Sequence, residues 1–193
     1  NKKSGAVAIG VRDFLIAYNI NLNTKSTRLA NAIAFDVREK GRIKRKGHPV
    51  IGDIVYDSKG NPSTIPGSLK HVKAIGWYIE EFGISQISMN LTNINQTPIH
   101  VVFDEVSKKA EKRGARVTGS EIVGLIPLKP MLDAGKYFLK KQNRSIGIPE
   151  IDIISIAVES LGLNQVKKFI PEKNIIEYYL DTLFDDKKKI IEL

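Results

Sequence analysis

Two pairs of polar side chains have the type and spacing to do chemistry together. Asn19 and Asn21 stand two positions apart at the end of DFLIAYNINL, and Gln86 and Ser88 stand two positions apart in ISQISMNLTN. A spacing of two puts both members of a pair on one face of a β-strand, because successive side chains alternate sides. Carboxamides donate and accept at once, so three of them and a hydroxyl on adjoining strands would suit a ligand edged with carbonyl, amide and ring nitrogen. The competing reading is a partly wetted sheet face, which antiparallel sheets commonly carry.

Other chemistry is largely excluded. The chain has no cysteine, which rules out disulfides, thiolate nucleophiles and cysteine-ligated metals. Its histidines, His48, His71 and His100, lie more than twenty residues apart and none has metal-ligand spacing, so no metal is expected. His100 falls in the first turn of a helical pattern but off its apolar stripe, which predicts a surface or capping role rather than acid–base work. Gly119 and Gly124 have the spacing of a phosphate loop, yet Leu125 and Ile126 follow where lysine and a hydroxyl residue are needed. Two glycines in a strand mark instead a bulge or a close backbone approach. No serine, histidine and acid constellation is visible in local sequence.

The balance of charge is +9 and the pI about 9.6, which is compatible with an anionic partner, either nucleic acid or a small polyanion, although dispersed basic charge more often marks a solvated surface. No apolar run approaches the ~18 residues of a membrane span, and no signal peptide is visible. A cytoplasmic location is expected. The first residue is Asn1 rather than methionine, as expected of a fragment or processed chain.

The elements that must position the polar pairs follow from periodicity. Residues 13–22 alternate cleanly, with Phe14, Ile16, Tyr18, Ile20 and Leu22 on one face and both asparagines on the other. Residues 24–40 form an amphipathic helix capped at Thr24, Ser26 or Thr27 and closed by Gly41. Residues 41–68 lose periodicity, with a small hairpin predicted around DSKGNP. Strands follow at 72–79 and 84–93, then a helix with Thr97 as cap, Pro98 in its first turn and Gly114 as its stop. A β-rich stretch at 116–127 precedes helices near 130–141, 149–161 and 171–180. The domain reading is therefore a core at 1–127 with its excursion at 41–68, a helical extension at 128–180 and a polar tail or linker at 181–193.

Strand, helix, strand, strand, helix, strand is the order of the ferredoxin-like split βαβ plan. This α+β fold should hold an antiparallel sheet in the order 4-1-3-2, with both helices on one face and additional C-terminal helices. RNA-binding modules of that plan stack bases on aromatics of their central strands. Here ISQISMNLTN has none, and Tyr18 and Phe14 should lie under the helices, so nucleic acid is not the expected partner.

Four longer stretches, GAVAIGVRDFLIAYNINL, LKHVKAIGWYIEEFGISQISMNLTN, TPIHVVFDEV and VTGSEIVGLIPLKPMLDAGKYF, together resemble the carboxyl-terminal subdomain of the formiminotransferase family, the glutamate formimidoyltransferases and formiminotransferase-cyclodeaminases. The likeness runs from about Ser4 to Leu180. It implies transfer of a formimino group between N-formimino-L-glutamate and tetrahydrofolate, in histidine degradation, by two ferredoxin-like subdomains that face each other across a folate tunnel. The open, amide-bearing face would then be one wall, with Asn19, Asn21, Gln86 and Ser88 as folate-binding residues. The family's folate-binding stretch runs into the motif present here as Gly5, Ala6, Gly10 and Arg12, which adds Ser4 and Gly5 to that set. The resemblance also implies that no catalytic residue lies in this chain, because the family's acid–base histidine belongs to the amino-terminal subdomain and none of the three histidines here matches it. The implied partners are folate, glutamate or formiminoglutamate, that second subdomain, and further copies of the enzyme in a homo-oligomer. An RNA-binding module and a catalytically silent assembly subdomain remain as the alternatives.

Overall fold

The computed structural model describes residues 2–7, 9–11 and 13–191, with the backbone alone for 185–191. Its elements in chain order are β1 (Ile16–Leu22), α1 (Thr27–Val37), β2 (Arg42–Ile43), β3 (Thr64–Ile65), β4 (Val72–Ile79), β5 (Ile84–Leu91), α2 (Ile99–Glu111), β6 (Val117–Val123), α3 (Leu128–Lys141), α4 (Glu150–Leu161), α5 (Pro171–Asn174) and α6 (Ile176–Ile191). The four long strands form an antiparallel sheet in the order β4-β5-β1-β6. Counted among themselves along the chain, they run 2-3-1-4.

The alternation of β1 explains the layering. Ile16, Tyr18, Ile20 and Leu22 are completely buried together with Ile87, Met89 and Leu91 of β5, and Ala30, Ile33 and Val37 of α1 and Val102 and Val106 of α2 join the same core. Ser26 caps α1, its Oγ accepting from the Leu29 amide at 3.2 Å. That helix rests directly on the edge strand β4 because residue 76 is glycine: a Cβ there would stand 2.2 Å from the Asn31 nitrogen. Asn31 then completes the contact, donating to the Gly76 carbonyl at 2.9 Å and accepting from its amide at 3.0 Å. An edge peptide group that a helix satisfies in this way is closed to pairing with another chain.

The opposite edge is closed by the C-terminal helices. The Ser120 amide of β6 donates to the Gly162 carbonyl just after α4, at 3.0 Å. On the helix side of the same strand the buried Tyr18 hydroxyl donates to Ser120 Oγ, which donates in turn to the Leu161 carbonyl at 2.6 Å. Burial holds the Tyr18 hydroxyl well above its ordinary pKa, with only partial relief from Ser120. β6 carries a register shift between Asn21 and Leu22 of its partner, so Gly119 sits beside a bulge and in close approach to Gly162.

Three local expectations change, at Phe14, at Thr97 and in the C-terminal stretch. β1 begins at Ile16, and Phe14 is 64% exposed rather than under the helices, because its alternation continues beyond the end of the neighbouring strand β5, where Leu91 faces Ile16. Thr97 does not cap α2; its hydroxyl donates to the Lys70 carbonyl at 2.6 Å, and Pro98 takes the capping position. The small hairpin expected around DSKGNP is present: the antiparallel bridges Arg45–Ile54 and Tyr56–Pro62 flank a turn at Asp57, whose carboxylate accepts from the Lys59 and Asn61 amides, and β2 and β3 close the excursion. α6 continues through Ile191, where the sequence reads as a polar tail.

Candidate functional site

On the sheet face opposite α1 and α2, strand register lines the polar pairs into two rows. In the first, Trp77 of β4, Gln86 of β5, Asn21 of β1 and Gly119 of β6 face one another in turn. In the second, Ile75, Ser88, Asn19 and Glu121 do the same. The structure thus brings Asn19, Asn21, Gln86 and Ser88 together on the two central strands. Ser4 and Gly5 lie apart from any strand, in an exposed segment before β1, where Gly5 has a φ of 67°. Arg12 of the same motif lies outside the described residues.

The first row is a directed chain of hydrogen bonds. Trp77 Nε1 donates to Gln86 Oε1 at 3.1 Å, Gln86 Nε2 to Asn21 Oδ1 at 2.6 Å, Asn21 Nδ2 to Gln165 Oε1 at 2.7 Å, and Gln165 Nε2 to Thr118 Oγ1 at 2.8 Å. An indole N–H can only donate, so Trp77 sets which way each amide in the chain must point. Gln165 reaches Asn21 by lying over Gly119, where any Cβ would stand 2.5 Å from its Oε1. Asn21 and Gln86 are fully buried beneath this lattice of side chains, and Asn19 is 5% exposed. The amides are therefore the supporting layer of the face, and its outer surface is made by half-buried Ser88 and Glu121 and by exposed Ile75, Trp77 and Val123.

Glu121 is the one carboxylate in these rows, and it accepts from Asn19 Nδ2 at 3.3 Å. A carboxylate beside a hydroxyl and an amide, bordered by an indole and aliphatic side chains, can bind the edge of a flat heterocycle while covering its apolar surface. Sequence reasoning missed Glu121, Trp77 and Gln165. The alternation Lys73, Ile75, Trp77 against Val72, Ala74, Gly76 carries a signal for the indole. Nothing local marks Gln165, whose partner lies 144 residues away.

None of the histidines joins this face. His48 lies on the excursion, where its Nδ1 accepts from the Val50 and Ile51 amides. His71, at a φ of 55°, opens β4 through backbone contacts with Glu39 and Thr92. The surface or capping role expected of His100 does not hold: its ring is buried between α2 and α3, stacked on Tyr137 at 4.5 Å, with Nδ1 unpartnered. Burial lowers its pKa, against the pull of Asp133 and Asp104. Among the described residues no group of three or more His, Asp or Glu side chains could hold a metal ion, and no helix is long and apolar enough to cross a membrane.

Comparison with known proteins gives the site its context. Residues 17–181 match the formiminotransferase domain. The chain is 41% identical over 183 residues to the formimidoyltransferase-cyclodeaminase of Gallus gallus, covering 95% of this chain and 30% of that protein. It is 43% identical over 175 residues to the protein of that name from Dictyostelium discoideum, covering 90% and 28% respectively. The glutamate formimidoyltransferase of Thermoplasma acidophilum is 36% identical over 138 residues, 72% of this chain and 37% of that protein. The chain thus spans well under half the length of each of these relatives.

Proposed function

The chain belongs to the formiminotransferase family, and from that premise we propose that it is the carboxyl-terminal subdomain of a glutamate formimidoyltransferase, with its amide-backed sheet face forming part of the tetrahydrofolate site. The observation that carries this reading is the two-row array on β4, β5, β1 and β6, with amides and a hydroxyl at its centre, Trp77 and Ile75 at its β4 margin and the Glu121 carboxylate at its β6 margin. Tyr18, the aromatic of the central strand β1, is completely buried on the other side, which argues against base stacking and hence against an RNA-binding module.

In the reaction, tetrahydrofolate N5 attacks the amidine carbon of N-formimino-L-glutamate. A new N–C bond forms, the bond from that carbon to the glutamate nitrogen breaks, and a proton passes from N5 to the departing amine. Such a step needs orientation of two amines and a shuttled proton. We assign orientation to this chain. Ser88 and Glu121 present donors and acceptors to the folate or glutamate, Asn19 holds the Glu121 carboxylate, and Asn21 and Gln86 brace the neighbouring row. Ser4 and Gly5 belong to the same site through the segment that enters β1. Proton transfer falls to the amino-terminal subdomain, since His100 lies on the far side of the sheet and His48 and His71 lie away from both rows. Histidine degradation is the setting in which the family's donor arises, and a homo-oligomer is the proposed assembly of the whole enzyme.

Calorimetric titration with folinic acid tests the reading, using the chain joined to the amino-terminal half of the same protein. Saturable binding that weakens in Ser88→Ala is the expected result. Absence of binding in the two-subdomain protein would leave the assembly role as the better account.

A further inference from the structure

A groove between α1 and the β2–β3 arm holds more positive charge than its own carboxylates answer. Its cavity of about 520 Å³ is lined by Arg28, Arg38, Arg42 and Arg45, with Phe35 and Ile43 among its apolar surfaces. Three of the four guanidinium groups are held in place by backbone carbonyls: Arg38 Nε donates to Gly41 at 2.8 Å, Arg42 to Ala32 at 2.8 Å and Arg45 to Gly52 at 2.7 Å. Arg38 also lies over the Phe35 ring, 4.0 Å from its centroid. A carbonyl fixes orientation without cancelling charge, and each group keeps further N–H donors.

The only carboxylate paired with these arginines among the described residues is Asp36, and it is divided between Arg42 and Arg113. Arg28, Arg38 and Arg45 form no ion pair among the described residues. Burial and the repulsion of Arg42 lower the pKa of Arg38, so an anion placed here would relieve an existing penalty. Dispersed surface charge usually sits on mobile, strongly hydrated lysines. Planar arginines pinned around an apolar floor are instead pre-organised for the paired oxygens of carboxylate or phosphate.

We propose that this groove binds a small organic anion carrying at least two phosphate or carboxylate groups, at a site on the helix side of the sheet and separate from the amide-backed face. One acidic group would leave most of the three unpaired guanidinium charges, of Arg28, Arg38 and Arg45, unanswered, which is why the ligand is multiply charged. The apolar lining takes the ligand's body. The inference stands apart from the transferase reading, because none of its residues lies in either row.

The test is titration of the ¹⁵N-labelled chain with pyrophosphate, with citrate and with sulfate at matched ionic strength, following the arginine Nε–Hε signals and binding heat. Saturable one-to-one binding is expected, with shifts confined to Arg28, Arg38, Arg42 and Arg45. Preference for pyrophosphate would identify an organic phosphate as the ligand class, and preference for citrate a polycarboxylate. Arg28→Gln, whose side chain pins nothing, should weaken binding about tenfold, the range of one charge-assisted hydrogen bond, with an unchanged thermal midpoint. Arg144→Gln, remote from the groove in sequence and absent from its lining, should bind as the parent does. Equal, unsaturated responses to all three salts, spread over surface lysines, would overturn the proposal, as would full affinity in Arg28→Gln.

Discussion

The side-chain amide of Asn21 donates to Oε1 of Gln165 at 2.7 Å, tying the central strand of the sheet to the turn after α4 across 144 residues of chain. The bond exists because Gly119, between them, has no side chain. Core sheet, bulged strand and helical extension are therefore one mechanical unit at this point, and the polar face depends on all three.

Asn21→Ala should destabilise the protein by about 1–3 kcal/mol, because it strands a buried Gln86 amide as well as removing two bonds. Gln165→Ala should cost less, about 0.5–1.5 kcal/mol, since Gln165 is exposed and water can replace it at Asn21. Urea unfolding of both variants checks the order, and a larger loss in Gln165→Ala would contradict the burial argument.

Trp77→Phe removes the one side chain of the hydrogen-bonded row that can only donate, at a cost of about 1 kcal/mol. Side-chain amide resonances of Gln86 and Asn21 should both move, although only Gln86 touches the indole. A change confined to Gln86 would show that orientation is not passed along the row.

Gly119→Ala would place a Cβ 2.8 Å from the Gly162 carbonyl oxygen and from Gln165 Cβ, forcing the α4 turn off the sheet edge. Gly124, at a φ of 85°, has open space around it, so alanine there should meet backbone strain alone, about 1–2 kcal/mol. Thermal unfolding should rank Gly119→Ala as the more damaging. The reverse order would mean that the turn gives way easily.

His100 predicts a pH dependence. Its folded pKa is lowered mainly by burial, so the unfolded chain takes up its proton first as pH falls. Stability should drop as pH descends through the ordinary histidine range near 6.5 and level off below the folded value. His100→Phe, which keeps a ring against Tyr137, should lose less stability between pH 8 and pH 5 than the parent. Equal losses in urea titrations would show that His100 contributes nothing to the trend.

Much of this arrangement is legible in the sequence because β-strand alternation is a local property. The two-residue period of 13–22 and 84–93 assigns each asparagine, Gln86 and Ser88 to a face, and antiparallel register sets Asn19 opposite Ser88 and Asn21 opposite Gln86. What lies above that face is not local. Gln165 covers Asn21 from 144 residues away and Trp77 bonds Gln86 from the edge strand beside it, so Asn21 and Gln86, which read as surface, are a buried layer. His100 departs from its expected surface role for a related reason: α3 packs on a second side of α2 and buries a residue off the first apolar stripe. The run DDKKK reads as a tail, yet the backbone of α6 runs through it.

The most direct test of the proposed role is steady-state transfer of the formimino group from N-formimino-L-glutamate to tetrahydrofolate by the two-subdomain protein, comparing the parent with Asn19→Ala. The account predicts transfer by the parent and a loss of about 1–3 kcal/mol in kcat/KM for tetrahydrofolate in the variant, with the urea midpoint little changed because Asn19 makes one long side-chain bond, to Glu121. Transfer at parental kcat/KM in Asn19→Ala would contradict the assignment of this face to the folate site, and absence of transfer in the parent would contradict the proposed activity itself.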